Sequence, residues 1–303
     1  MGEINISLLS VGQVVVNNPI LNDCEETKKE YLKRLDSYIG IGQWKRRKFG
    51  KAQMAAYKKI IMDSGDEGEK RGISYYKFFM LLDIIQILGY KVKKADADKF
   101  EKIKARFSSD YHDADMGLVD RVWRAFQGSG KNKHKKIQAL AKSSKLKNEE
   151  QYIGLMLQNI KFMEAKPASV MVTATMSAGK STFINALTGK RVCLSKTMAC
   201  TSKLHGIVNK AFEDGYSYKY DYDLGLTAEP DELLKDNELN ASDKIMTGTH
   251  FTGSLGNQRM IISDSPGVNY SRNQEHKSIT YKYLKGRNYN LLIYIMNATQ
   301  LGT

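Results

Sequence analysis

The stretch VTATMSAGKSTFINAL, residues 172–187, changes its period halfway along. On its left, SVMVTAT (169–175) is a short apolar run rich in β-branched residues, the pattern of a buried strand. Pro167, just upstream, disfavours helix at Lys166, so the strand begins there. On its right, apolar residues recur at helical spacing and predict a helix over about 180–188. A strand, a small-residue turn and a helix N-terminus bring backbone amides together around an anion. The full phosphate-loop pattern asks for Gly, four residues, then Gly-Lys-Ser/Thr. Gly179, Lys180 and Ser181 satisfy it, but Ala174 stands at the first glycine position. Lys180 would bring a cation to the β- and γ-phosphates and Ser181 would hold Mg²⁺, with Met176, Ser177, Ala178, Gly179 and Thr182 completing the cradle. An ordinary strand-to-helix turn with a chance Lys-Ser is the competing reading. The presence of both flanks weighs against it.

Downstream, MIISDSPGVNY places Asp264 and Gly267 in a D-x-x-G arrangement after a strand-like run. Alone, DSPG would be a turn. Behind a phosphate loop, Asp264 can organise Mg²⁺ through water and the Gly267 amide can reach a γ-phosphate. Between the two elements lies LSKTMACTSKLHGIVN (194–209). A γ-phosphate sensor needs a threonine that closes over Mg²⁺; Thr201, immediately before a strand, is the best placed, with Thr197 as the fallback. A plain loop threonine remains the alternative.

The rest of the chain sets the frame. Length and 42% hydrophobic content suit two cores. The formal charge of +14 is uneven: residues 1–166 hold 32 Lys and Arg against 21 Asp and Glu, while residues 167–303 hold 15 against 12. The basic half would attract polyanions, lipid headgroups or nucleic acid, though solvated basic surface is the plainer reading of runs such as WKRRK (44–48) and KNKHKK (131–136). Three cysteines without CxxC spacing indicate neither a disulfide framework nor structural zinc, hence a reducing, cytoplasmic setting. Residues 22–164 show helical periodicity, with Tyr31, Leu35, Tyr38 and Ile39 on one face, Met116, Val119, Trp123 and Phe126 on another, and Ile153, Met156, Leu157 and Ile160 on a third. Five to seven helices are expected, punctuated by loops at 63–68 and 127–133. The greasy segment 78–88 is too short to span a bilayer, is interrupted by Asp83 and Gln86, and reads as a core helix. SSDYHDAD (108–115) reads as a loop capping the next helix rather than a metal site. After Pro167, strand-like segments at about 203–209, 216–222, 259–263 and 290–296 predict an α/β layer with a largely parallel sheet. YSYKYDYD within them reads as a half-buried strand.

SAGKSTFINALTGKRVCLSKTMACTSKLHGIV, followed by IISDSPGV and NLLIYIMNATQLGT, resembles the GTPase domain of bacterial dynamin-like proteins, over about residues 168–303. The resemblance implies a Ras-like P-loop sheet, GTP and GDP as ligands with Mg²⁺, and self-association through the GTPase domain. It implies Ser177 as the loop serine that compensates charge in catalysis, Lys180 and Ser181 as above, Thr201 as switch threonine, and Asp264 with Gly267 as the second switch. Ser181, Thr201 and Asp264 would then surround the metal. Two departures stand out: Ala174 at the first glycine, and Met176 where dynamins often place a water-positioning glutamine, a role no thioether can fill. Val268 likewise offers no catalytic glutamine.

The expected organisation is therefore a basic helical region, 1–166, followed by the N-terminal portion of a dynamin-type GTPase domain, 167–303. The sheet is incomplete on its C-terminal side. The guanine-reading Asn/Thr-Lys-x-Asp motif that should follow LLIYIM does not occur before Thr303, so the chain is expected to continue in a longer protein. The leading functional expectation is a cytoplasmic GTPase, peripheral at anionic membranes, whose nucleotide state alters self-assembly. A nucleotide-regulated RNA- or ribosome-binding switch, and an ATP-binding P-loop protein, stay open beside it.

Overall fold

The computed structural model describes residues 15, 17–42, 51–65, 70–88, 97–128, 130–175, 178–193, 204–211, 213, 217–221, 224–228, 244–266 and 274–298. The chain divides into two compact units, one within residues 5–161 and one within 162–303. The run WKRRK lies outside the described residues.

The first unit is helical: α1 (Glu25–Gly42), α2 (Lys51–Met62), α3 (Lys77–Leu88), α4 (Ala97–Asp110), α5 (Met116–Gln127), α6 (Gly130–Ala141) and α7 (Glu150–Glu164). Its axis is α3, in which every residue from Phe78 to Leu88 is buried. The two polar residues that break the greasy run go inward as well. Asp83 Oδ2 accepts from Asn18 Nδ2 at 3.0 Å, Tyr31 Oη at 2.6 Å and Tyr57 Oη; Asp83 Oδ1 accepts from Tyr152 Oη. Burial pushes this carboxyl up from its ordinary value and the phenol donors pull it back. One carboxylate thus ties α1, α2, α7 and the turn before Pro19 to α3, because an isolated buried charge would be far too costly without such donors. The expected apolar faces of α1 and α7 are buried; on α5, Val119, Trp123 and Phe126 are buried and Met116 is half-exposed. Asp115 caps α5, accepting from Leu118 N at 3.0 Å. The loop expected over 127–133 is mostly absent, since α6 begins at Gly130. Its Lys-Asn-Lys-His-Lys-Lys run has no strong helix breaker once past the glycine, and helix propensity prevails.

The second unit is built on a seven-stranded sheet of order β4-β3-β5-β2-β6-β1-β7. Its strands are β1 (Ala168–Ala174), β2 (Leu204–Asn209), β3 (Ser217–Asp221), β4 (Leu224–Ala228), β5 (Lys244–Thr249), β6 (Met260–Asp264) and β7 (Leu291–Ile295), with helices α8 (Lys180–Thr188) and α9 (Gln274–Lys285). The sheet is less parallel than the sequence suggests. β1 runs parallel to β6 and β7, and β2 to β5, but β2–β6, β3–β4 and β3–β5 are antiparallel. β4 and β5 were not expected; LGLTA and KIMTGT are too short and glycine-interrupted to give a clear strand pattern. The core packs Val170, Val172, Ile207 and Ile262 of the sheet against Ile184 of α8 and Phe251.

Two local devices fix the loop that leads into β6. The Asn209 side-chain amide donates to Leu255 O (2.9 Å), Gly256 O (2.9 Å) and Gln258 O (2.6 Å), and its oxygen accepts from Phe251 N at 2.9 Å. Gly189 closes α8 at φ 70°, and a Cβ there would sit 2.1 Å from Thr252 Cγ2, so only glycine lets the helix end pack on this loop. At the far edge, β7 exposes Leu291, Leu292 and Tyr294, with Met296 just beyond it.

In the helical unit, Glu149 is buried immediately before α7, and desolvation pushes its pKa to about 7 from 4.5, opposed only by its own backbone hydrogen bond and by Lys77, which is itself paired with Asp113. In the unfolded chain Glu149 ionises near 4.5. Between that pH and 7 the folded state binds more protons, so stability falls as pH rises through this window. A Glu149→Gln variant should flatten the slope and gain about 1–3 kcal/mol at pH 8. Urea denaturation of both proteins at pH 5 and pH 8 measures it.

Candidate nucleotide-binding site

β1 ends at Ala174 and α8 starts at Lys180, so the anion-type turn lies at the C-terminal end of a central parallel strand, where open α/β sheets bind ligands. Gly179 is the N-cap of α8 in a left-handed conformation, φ 86°, which suits glycine alone. It has no side chain to satisfy the first-turn amides, which an α-helix leaves without internal partners. Ala178 N bonds back to Thr175 O at 3.3 Å and Phe183 N to Gly179 O at 2.9 Å, fixing the turn at both ends.

Lys180 and Asp264, 84 positions apart, meet here. Parallel pairing of β1 with β6 sets Val172 opposite Asp264, and Ser265 N extends the ladder by donating to Val172 O at 3.1 Å. The Lys180 ammonium donates to Asp264 Oδ1, with Lys180 only 9% exposed and Asp264 1%. Two charges so far from water are tolerable because each neutralises the other. A phosphate is an alternative anion for the lysine. Three hydroxyls at this end of the sheet, Thr173 and Thr175 on and just after β1 and Ser265 just after β6, are buried without a hydrogen-bond partner among the described residues. An ammonium, open helix amides, a carboxylate, the half-buried Ser181 and orphaned hydroxyls form an oxygen- and nitrogen-rich set that fits a phosphate chain and a hard cation such as Mg²⁺. Thr280 Oγ1, on α9, donates to Pro266 O at 3.1 Å and anchors the turn after Asp264.

Antiparallel pairing of β2 with β6 sets His205 directly opposite Asp264. His205 Nε2 lies 2.8 Å from Thr247 Oγ1, and its Nδ1 lies 3.8 Å from Cys193 Sγ. Burial lowers the His205 pKa to about 4, against the pull of the Asp264 charge, so the ring is neutral at pH 7. Burial, reinforced by the Asp264 charge, raises the Cys193 thiol well above its ordinary range.

Of the residues singled out in the sequence, Ala178, Gly179, Lys180, Ser181, Thr182 and Asp264 gather at this end of the sheet, with Lys180 and Asp264 in contact. Met176, Ser177, Thr197, Thr201 and Gly267 lie outside the described residues. Sequence reading missed Thr173, Thr175, Cys193, His205, Thr247 and Ser265. The one usable signal was a histidine inside the apolar run LHGIV.

The strand–turn–helix with its buried Lys–Asp pair on this sheet defines a P-loop nucleotide-binding fold. Residues 170–303 match the sequence model of the dynamin family, and that segment is dynamin-like. No curated protein matches the chain. Among solved structures, two described as an oligomerised bacterial dynamin pair that provides a mechanism for long-range sensing and tethering of membranes share 17% identity with it. The TM-scores are 0.34 and 0.33, and the match covers 90% and 93% of this chain. The chain spans about half the length of both, 50% and 51%.

Removing one member of the buried pair leaves the other charged and dry. Asp264→Ala should therefore destabilise the ligand-free protein by about 3 kcal/mol, and adding Lys180→Met should recover much of the loss. Denaturant titration of the two single variants and the double variant reads the coupling directly.

Proposed function

We propose that this chain carries the catalytic part of a dynamin-like GTPase that binds GTP and GDP with Mg²⁺. The observation behind this reading is the Lys180–Asp264 contact at the N-terminus of α8, within a segment of dynamin type. Asp264 neutralises the ammonium. A triphosphate would take over Lys180, with the amides of Ala178, Gly179, Lys180, Ser181 and Thr182 around its oxygens. Ser181, Asp264 and Thr201 would hold the metal, which supplies charge neutralisation of the phosphates when bound. Gly267 would read the γ-phosphate, and Ser177 would compensate charge during transfer. Met176 has no hydrogen-bonding group for water, so any water-orienting role falls on other groups and slow intrinsic turnover is expected.

The basic excess of residues 1–166, 32 Lys and Arg against 21 Asp and Glu, supports peripheral attachment to anionic membranes from the cytoplasm, with nucleotide state changing self-association. Among the described residues no helix is long and apolar enough to cross a membrane.

Lys180→Ala should weaken binding of a fluorescent GTP analogue at least about tenfold, with ATP competing poorly against GTP, because a charge-assisted phosphate contact is lost. Unchanged affinity removes the phosphate-site assignment. Turnover measured with anionic vesicles and with RNA, at low and high salt, separates the membrane reading from a nucleic-acid one; stimulation by vesicles alone, lost at high salt, is expected.

A further inference from the structure

We propose that Cys193 is a positioning residue for Asp264, backed by His205 and Thr247 in a one-way chain of hydrogen-bond donors that ends on the carboxylate. This rests on the nucleotide-binding reading of the site and concerns what happens to Asp264 when Lys180 leaves it. Lys180 donates to Asp264 Oδ1. A phosphate that draws the ammonium away strands a carboxylate only 1% exposed, which must find another donor or lose its orientation.

The structure supplies one. His205, set directly opposite Asp264 across the β2–β6 ladder, has its Nδ1 3.8 Å from Cys193 Sγ and its Nε2 2.8 Å from Thr247 Oγ1, which brings the thiol to the same buried corner as the carboxylate. The directions follow from the ends. An ionised carboxylate only accepts, so the S–H donates to it. The sulfur then accepts from Nδ1–H, and a neutral imidazole with its proton on Nδ1 must accept at Nε2 from the Thr247 hydroxyl. All four groups are buried: Cys193 2%, His205 5%, Thr247 1% and Asp264 1% exposed.

Their placement is rigid. His205 is held opposite Asp264 by the β2–β6 ladder, and Thr247 lies two residues beyond His205's own partner on β5, hence on the same face. Cys193 is clamped by Asn185, whose Oδ1 accepts from Val192 N at 3.0 Å and Cys193 N at 2.8 Å while its Nδ2 donates to Cys193 O at 2.8 Å. Asn185 sits on α8, the helix that begins with Lys180, so one helix holds both partners of Asp264. A thiol this buried is no nucleophile toward solvent, and its role is geometric.

The test follows binding of a fluorescent GTP analogue as Mg²⁺ is titrated, and again in EDTA, for the wild type and for Cys193→Ala, Cys193→Ser and Lys180→Ala. Cys193→Ala should raise the Mg²⁺ concentration for half-maximal effect about threefold to tenfold, the worth of a weak hydrogen bond to a charged group, and leave affinity in EDTA unchanged. Cys193→Ser, which keeps a donor, should return to within about twofold of wild type. A Cys193→Ala variant with wild-type Mg²⁺ dependence, alongside a Lys180→Ala variant that no longer binds, overturns the positioning role and leaves the nucleotide reading standing. A Lys180→Ala variant that binds normally defeats both. Imidazole ¹⁵N spectra of the ligand-free protein, assigned with His205→Gln, give a reading that needs neither metal nor a stable Cys193 variant. A proton on Nδ1 supports the chain, and a proton on Nε2 overturns it.

Discussion

An ammonium and a carboxylate that water scarcely reaches govern the second unit. Lys180 and Asp264 come from the start of a helix and the end of a strand, and neither could be buried where it is without the other. Their meeting requires β1 and β6 to be neighbours, parallel and in a register that sets Val172 beside Asp264. It also requires the turn after β1 to be tight enough for α8 to begin at once, which a left-handed glycine at 179 provides. The loop before β6 is held by Asn209 and the turn after it by Thr280. These contacts would otherwise look like unrelated details. They share the task of keeping one carboxylate within reach of one lysine at a helix N-terminus.

The helical unit solves a similar problem differently. Three phenols and an amide surround Asp83, with no cation on it among the described residues. Lys28, also buried, donates to the carbonyls of Ser64 and Gly65, each at 2.9 Å. Neutral donors and acceptors suit a core whose job is to stay closed, because a fully satisfied network has no partner to exchange. An ion pair that a ligand can split suits a site. The contrast separates a polar core built from neutral donors and acceptors from a buried pair of opposite charges.

Local chemistry was legible in the sequence and long-range register was not. Gly179-Lys180-Ser181 after a β-branched run, and Asp264 after another, marked the strand ends and the helix start that the fold brings together, because each signal lies within a few residues and one strand–turn–helix unit. The buried faces of α1 and α7 were equally plain, since helical period is a local property. Asp83 illustrates the opposite case. It read as an interruption of a greasy helix, and only the fold reveals Tyr31, Tyr57 and Tyr152 converging on it from positions 26 to 69 residues away. β4 and β5 escaped notice because short strands with glycine carry little periodicity. Cys193 and His205 escaped because cysteine spacing was weighed only for disulfides and zinc, and because antiparallel insertion of β2 beside β6 cannot be read from a strand-and-helix order that suggests a parallel sheet.

That antiparallel insertion carries a mechanical consequence. Were β2 parallel to β6, its start would lie at the far end of the sheet and the segment entering it would be remote from the phosphate turn. Running antiparallel, β2 begins beside Asp264, so the chain that follows Cys193 and leads into Leu204 both leaves from and returns to the same end of the sheet. Asn185 pins the departure through Cys193 and the β2–β6 ladder pins the return through His205. The same residues bear on Asp264, because His205 is its cross-strand neighbour and Cys193 lies against His205.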